Sequence, residues 1–181
     1  MGNRGILHDA ERRLVRDWQV RRWIACRLEF HGRHRAVMTP GSYTELFFLD
    51  EAAALADGHR PCAECRHADY RAFQAAWRTI YPDQPTTADA LDRVLHAERR
   101  WRPFLKRTYF AQLDMLPDGT YLLLHDRAWL VRGDAVWAWS PGAYLERAPR
   151  PADTHVAVLT PPSIVGVLRA GYHPALHPSC Q

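Results

Sequence analysis

Lysine is nearly missing from this 181-residue chain: Lys106 stands alone among 24 basic residues, so arginine carries the positive charge. Guanidinium forks suit phosphate oxygens better than point charges do, and the formal net charge of +4 makes nucleic acid a permissible partner. Solvated arginine faces explain the same excess equally well. Cysteine is scarce too. Cys26, Cys62, Cys65 and Cys180 are too few and too unevenly spaced for a secreted disulfide framework. No apolar run of about 18 residues occurs, which excludes a membrane-spanning helix. The polar opening Met1–Gly5 lacks the apolar core of a signal peptide, so a cytoplasmic protein is expected. Repeats and low-complexity stretches are likewise absent, and a composition 47% hydrophobic and 24% charged argues against wholesale disorder.

What is present divides the chain near residue 104. In the first part, "RRWIACRLEF" (21–30) alternates as a strand and "HGRH" reads as a turn into "RAVM", predicting a hairpin; "YTELFF" is a second strand candidate. Asp50 is placed to cap a short helix, "EAAALAD", which Gly58 ends. Tyr70, Phe73, Ala76, Trp77 and Ile80 share one face of a helix over 68–81. Thr86 with Asp89 resembles a capping box for a helix running to about Arg100, with Leu91, Leu95 and Val94 inward. Beyond it, "LPDGT" is a turn, strands are expected at 120–125, 128–132, 135–139 and 155–160, and "PPSIVGVLRAGY" reads as a final helix. The "GYHPALHPSC" tail is assigned to packing. The expectation is an α+β chain, with a zinc-binding region over 1–103 and a β-rich region over 104–181, packed as one unit.

The chemistry gathers at "GHRPCAECRHADY" (58–70). A Cys-x2-Cys turn brings two sulfurs to one face, Pro61 stiffens the approach, and the following helix directs its first amides toward the pair. A thioredoxin-like dithiol would expect a strand directly before it, whereas a helix ending in Gly58 precedes this one. Zinc is therefore the expected ion, with Cys62 and Cys65 as ligands. Cys26 is the best third ligand, although a buried free cysteine would look the same in sequence. For the fourth position His31, His34, His8, His96 and Cys180 compete, and His31, five residues after Cys26, is preferred. Arg27, Arg33 and Arg35 are candidate phosphate contacts.

"FFLDEAAALADGHRPCAECR" resembles the metal-binding module of Ada DNA-repair proteins, which shows an aromatic-rich strand, an Ala-rich helix and Gly-aromatic-Arg-Pro-Cys-x-x-Cys. "WIACR" is similar to the segment that carries that family's first cysteine. The resemblance covers about residues 20–75. It implies that Cys26, Cys62 and Cys65 hold zinc, that DNA is the partner, and that a zinc-bound Cys26 could accept a methyl group. The family's second cysteine falls at Phe30 here, so its role passes to His31, to another residue, or to none.

Two other readings compete. His96-Ala-Glu98 with the Cys pair supplies the parts of a zinc hydrolase or deaminase, with Glu98 moving protons, though in the reverse of that order along the chain. The alternative is a structural zinc domain without chemistry.

Overall fold

The computed structural model describes residues 1–32 and 36–180. Short strands β1 (Gly2–Asn3), β2 (Ile24–Ala25) and β3 (Arg60–Pro61) form a mixed sheet in that order, antiparallel between β1 and β2 and parallel between β2 and β3. Three helices accompany it: α1 (Glu51–Ala56), α2 (His67–Ile80) and α3 (Ala88–Arg99). A hairpin, β4 (Arg100–Arg102) and β5 (Leu105–Lys106), leads into the second region. There β6 (Tyr109–Gln112), β7 (Tyr121–Leu124), β8 (Arg127–Arg132), β9 (Ala135–Trp139), β10 (Tyr144–Pro149) and β11 (His155–Val158) build one antiparallel sheet, ordered β10-β9-β8-β7-β11-β6. Helix α4 (Pro162–Arg169) follows. The α+β expectation holds, with a small mixed sheet in the first region and a six-stranded sheet in the second.

The helical stripes read from sequence become one core. Phe73 and Trp77 of α2, Leu91 and Leu95 of α3, and Ile164, Val167 and Leu168 of α4 are buried together with Leu55 of α1. Gly166 permits this closeness, because a Cβ there would come within 2.9 Å of Ile80. Val165, one position away on α4, turns to the large sheet and joins Leu122, Val131, Val136, Val156 and Val158. The opposite sheet face, with Tyr121, Leu130 and Tyr144, receives Ala52 and Ala56 of α1 and Cys180. Helices α1 and α4 thus tie the two regions through shared apolar surface.

Several local expectations change. Among the described residues the hairpin expected over 21–38 is not seen: β2 is two residues long and pairs with β1 and β3, Ala36–Met38 are in no strand, and residues 33–35 of the expected turn and strand lie outside the described residues. Alternation stops being meaningful after Cys26, since Leu28 is 72% exposed, and His31 and Gly32 both take positive φ. "YTELFF" contributes only an isolated bridge from Leu46 to Gly2. The N-cap of α3 is Thr87, whose side chain accepts from the Ala90 amide, rather than Thr86. No helix among the described residues is long and apolar enough to cross a membrane.

Candidate metal centre

Parallel pairing of β2 with β3 creates the site, and β3 (Arg60–Pro61) is a strand directly before the cysteine pair, where the sequence pattern predicts only the end of a helix. Ile24 faces Arg60 and Ala25 faces Pro61, so the next step of the same register sets Cys26 beside Cys62, whose amide donates to the Ala25 carbonyl at 3.0 Å. Cys65 follows after the turn, which closes as the Arg66 amide donates to the Cys62 carbonyl at 3.1 Å. The three sulfurs all lie within 4.8 Å of one another. Thiolates about 2.3 Å from a tetrahedral ion stand roughly 3.8 Å apart, so this donor set fits a metal with small adjustment. The Arg27 amide donates to Cys65 Sγ at 3.4 Å, a contact suited to a sulfur that carries negative charge.

Electrostatics within the trio favour charge on one sulfur. Cys62 is pulled down to about 5, chiefly because the Cys26 thiol donates to it, with the amides of Cys65 and Glu64 assisting against its burial. Cys26 moves up for the same reason, holding the proton it shares, with burial second. Burial also raises Cys65. A single thiolate is thus available at neutral pH to begin ion capture, and an ion would displace the remaining protons.

Of the three cysteines, Cys26 alone is half-buried, the others being buried. It lines a cavity of about 250 Å³ together with Arg27, Phe48, Asp50, Glu51 and Arg66. These charged walls are themselves pinned. Arg66 meets Glu51 at 2.8 Å and Asp69 at 2.7 Å, and Glu51 also accepts from the Tyr172 hydroxyl at 2.5 Å and the Ala175 amide at 2.9 Å. The "GYHPALHPSC" tail therefore packs against the start of α1, beside the cysteines.

The remaining predicted site residues lie elsewhere. His31 is exposed and stacks edge-on against Phe30 with ring centroids 4.1 Å apart, and among the described residues only the three cysteines group as metal ligands. His34, Arg33 and Arg35 fall outside the described residues. His8 bonds Thr44 Oγ1 at 2.6 Å, and Cys180 is buried against the large sheet. His96 packs on Trp18 at 4.5 Å, while Glu98 accepts from both the amide and the hydroxyl of Ser163 at 3.0 and 2.6 Å. Glu98 therefore caps α4, and neither His96 nor Glu98 joins the cysteines.

Sequence reasoning missed what surrounds the centre. Trp23, fully buried, is approached by three guanidiniums, Arg4 at 4.3 Å, Arg99 at 4.7 Å and Arg100 at 5.5 Å from its ring centroid. Arg99 also donates to the carbonyls of Gly58 and Arg21, and its side chain presses on Gly58, where a Cβ would come within 2.6 Å. Gly58, at φ +95°, is thus required both to end α1 and to admit Arg99. Nothing in the run "RRW" announces this stack. Comparison with protein-family models, curated proteins and solved structures finds no match to the chain.

Proposed function

We propose that this is a cytoplasmic zinc protein whose first region works as an Ada-like metal-binding module associated with DNA or another phosphate-bearing ligand. The observation that carries the reading is the meeting of Cys26, Cys62 and Cys65 from two separated segments. Supporting it, the Ala-rich helix α1 runs through Gly58 into Arg-Pro-Cys-x2-Cys, in the order the resemblance expects, although the aromatic-rich segment before it forms only an isolated bridge. Free thiols at such close range suit a reducing compartment. Three thiolates select zinc over hard cations such as magnesium or calcium. Methyl transfer, if the resemblance extends to it, would be read at Cys26, the sulfur that lines the cavity.

Metal content decides the first half. Wild type and His96→Ala are expected to retain zinc in one-to-one ratio, while Cys26→Ala and Cys62→Ala lose it. Retention by Cys26→Ala with loss in His96→Ala would transfer the metal to the deaminase-like reading. Duplex-DNA binding measured against salt decides the second half, because phosphate contacts impose a steep fall in affinity as counterions compete.

A further inference from the structure

A groove of about 730 Å³ runs between the lead-in to β2 and the exposed side of α3. We infer that it is a separate binding site for a phosphate ester of nucleotide size, with Arg21 and Arg93 on the phosphate and the apolar wall of Val20 and Ile24 against the rest of the ligand. This deepens the phosphate half of the functional reading and rests on it; the metal half is independent.

Charge carries the argument first. Arg21 and Arg93 are exposed on the groove and make no ion pair among the described residues. The third arginine of the rim, Arg22, meets Asp89 at 3.3 Å, and both of those side chains are well exposed, so the pair is weak. At the floor, Asp92 is already claimed. Arg60 grips it with two bonds of 3.1 and 2.7 Å, and Arg99 stands 3.8 Å away with one guanidinium nitrogen, Nη2, buried and lacking a hydrogen-bond partner. Three arginines, Arg21, Arg22 and Arg93, therefore line the groove against two carboxylates, Asp89 and Asp92, and Asp92 is already satisfied by the buried Arg60. The excess calls for an anion with several acceptor oxygens, which a phosphate supplies to more than one arginine fork at once.

Shape and polarity supply the second argument. Asn3 on β1 also lines the groove; its Oδ1 accepts from the Gly5 amide at 3.0 Å, leaving its side-chain NH2 free to donate. Val20, 42% exposed, and Ile24 offer apolar surface that inorganic phosphate would not use. The volume lies in the range of small-ligand sites. The groove is built on rigid parts: β2 pairs with both of its neighbours, and α3 is fixed by Leu91 and Leu95 in the helical core.

Calorimetric titration of the full-length protein with adenosine 5′-monophosphate at low ionic strength tests the assignment. Arg21→Ala/Arg93→Ala is expected to weaken binding by at least about tenfold, the loss of roughly one charge-assisted contact, with zinc content and thermal unfolding unchanged. Asp89→Asn, which removes a competing carboxylate, is expected to tighten it. A single-stranded oligodeoxynucleotide that displaces the nucleotide would show that the groove reads nucleotides within a strand, and failure to displace it would mark free nucleotides as the ligand. No binding by wild type, equal binding by the double variant, or inorganic phosphate binding as tightly as the nucleotide would overturn the inference. Duplex-DNA binding that survives such a failure would leave the functional reading standing. Nucleotide binding in a protein that ignores DNA would instead remove the DNA association and keep the groove.

Discussion

His59 shows how much a single residue can carry without touching the sulfurs. Its ring is fully buried between Trp23 and Phe48, at 5.3 and 4.9 Å; neither nitrogen has a hydrogen-bond partner, although the Asp57 carboxylate stands 3.4 Å from Nδ1. Burial, reinforced by the charges of Arg4, Arg99 and Lys106, holds its pKa well below the usual value of 6.5. The unfolded chain then binds a proton that the folded chain refuses, so stability is full above about pH 6.5 and falls as the solution is acidified below it. Denaturant titrations between pH 7.5 and 5 are expected to show this loss, approaching 1.4 kcal/mol per pH unit for one proton (an approximate limit), and His59→Leu is expected to flatten the slope. His96 shifts in the same direction for the same leading cause, so the difference between the two proteins isolates His59. In sequence, His59 is only the residue before Arg-Pro-Cys. Its burial depends on Trp23 and Phe48 arriving from other segments, which no local pattern encodes.

At the scale of elements, α1 is the junction. Six residues cannot hold a helix alone, and Asp50 compensates by receiving the Ala53 amide at 2.9 Å as an N-cap. Its other oxygen accepts from the Tyr144 hydroxyl at 2.6 Å and the His177 amide at 3.1 Å, so one carboxylate holds a helix, a strand and the tail. Asp50→Ala should therefore cost more than an ordinary cap, about 2–4 kcal/mol in urea unfolding, with Asp50→Asn intermediate. Asp50, Gly58 and the stripe of α2 were all readable from sequence, because caps and helical periodicity are local. The strands at 121–139 were readable for the same reason, each bounded by its own turn. The short N-terminal strands were not. Their pairing joins residues 2, 24 and 60, and alternation in "RRWIACRLEF" extended past the point where burial ends. Cys26 was nonetheless found as a partner of the knuckle, through the resemblance and its isolation. The groove arginines were not found, since Arg93 looks like any solvated position on a helix.

For the molecule as a whole, the metal would act as a cross-link between weakly fastened parts. Strands of two residues contribute few ladder bonds, and the cysteines bridge them. Chelation is expected to lower the unfolding temperature by the amount mass action sets, and hydrogen exchange should rise first around residues 24–26 and 60–66 while the six-stranded sheet stays protected. A uniform rise across both regions would instead mean that they unfold together. The Glu51 carboxylate has a consequence in time as well as in space. During synthesis Cys26 emerges first and Cys62 and Cys65 follow well before the second region, while Tyr172 and Ala175, which fix Glu51 and through it Arg66, come more than a hundred residues after Cys65. The three sulfurs can therefore meet early, with the cavity wall beside Cys26 still open to solvent. That wall is completed only when the tail arrives, so an ion bound by the nascent cysteines would enter before the centre is enclosed.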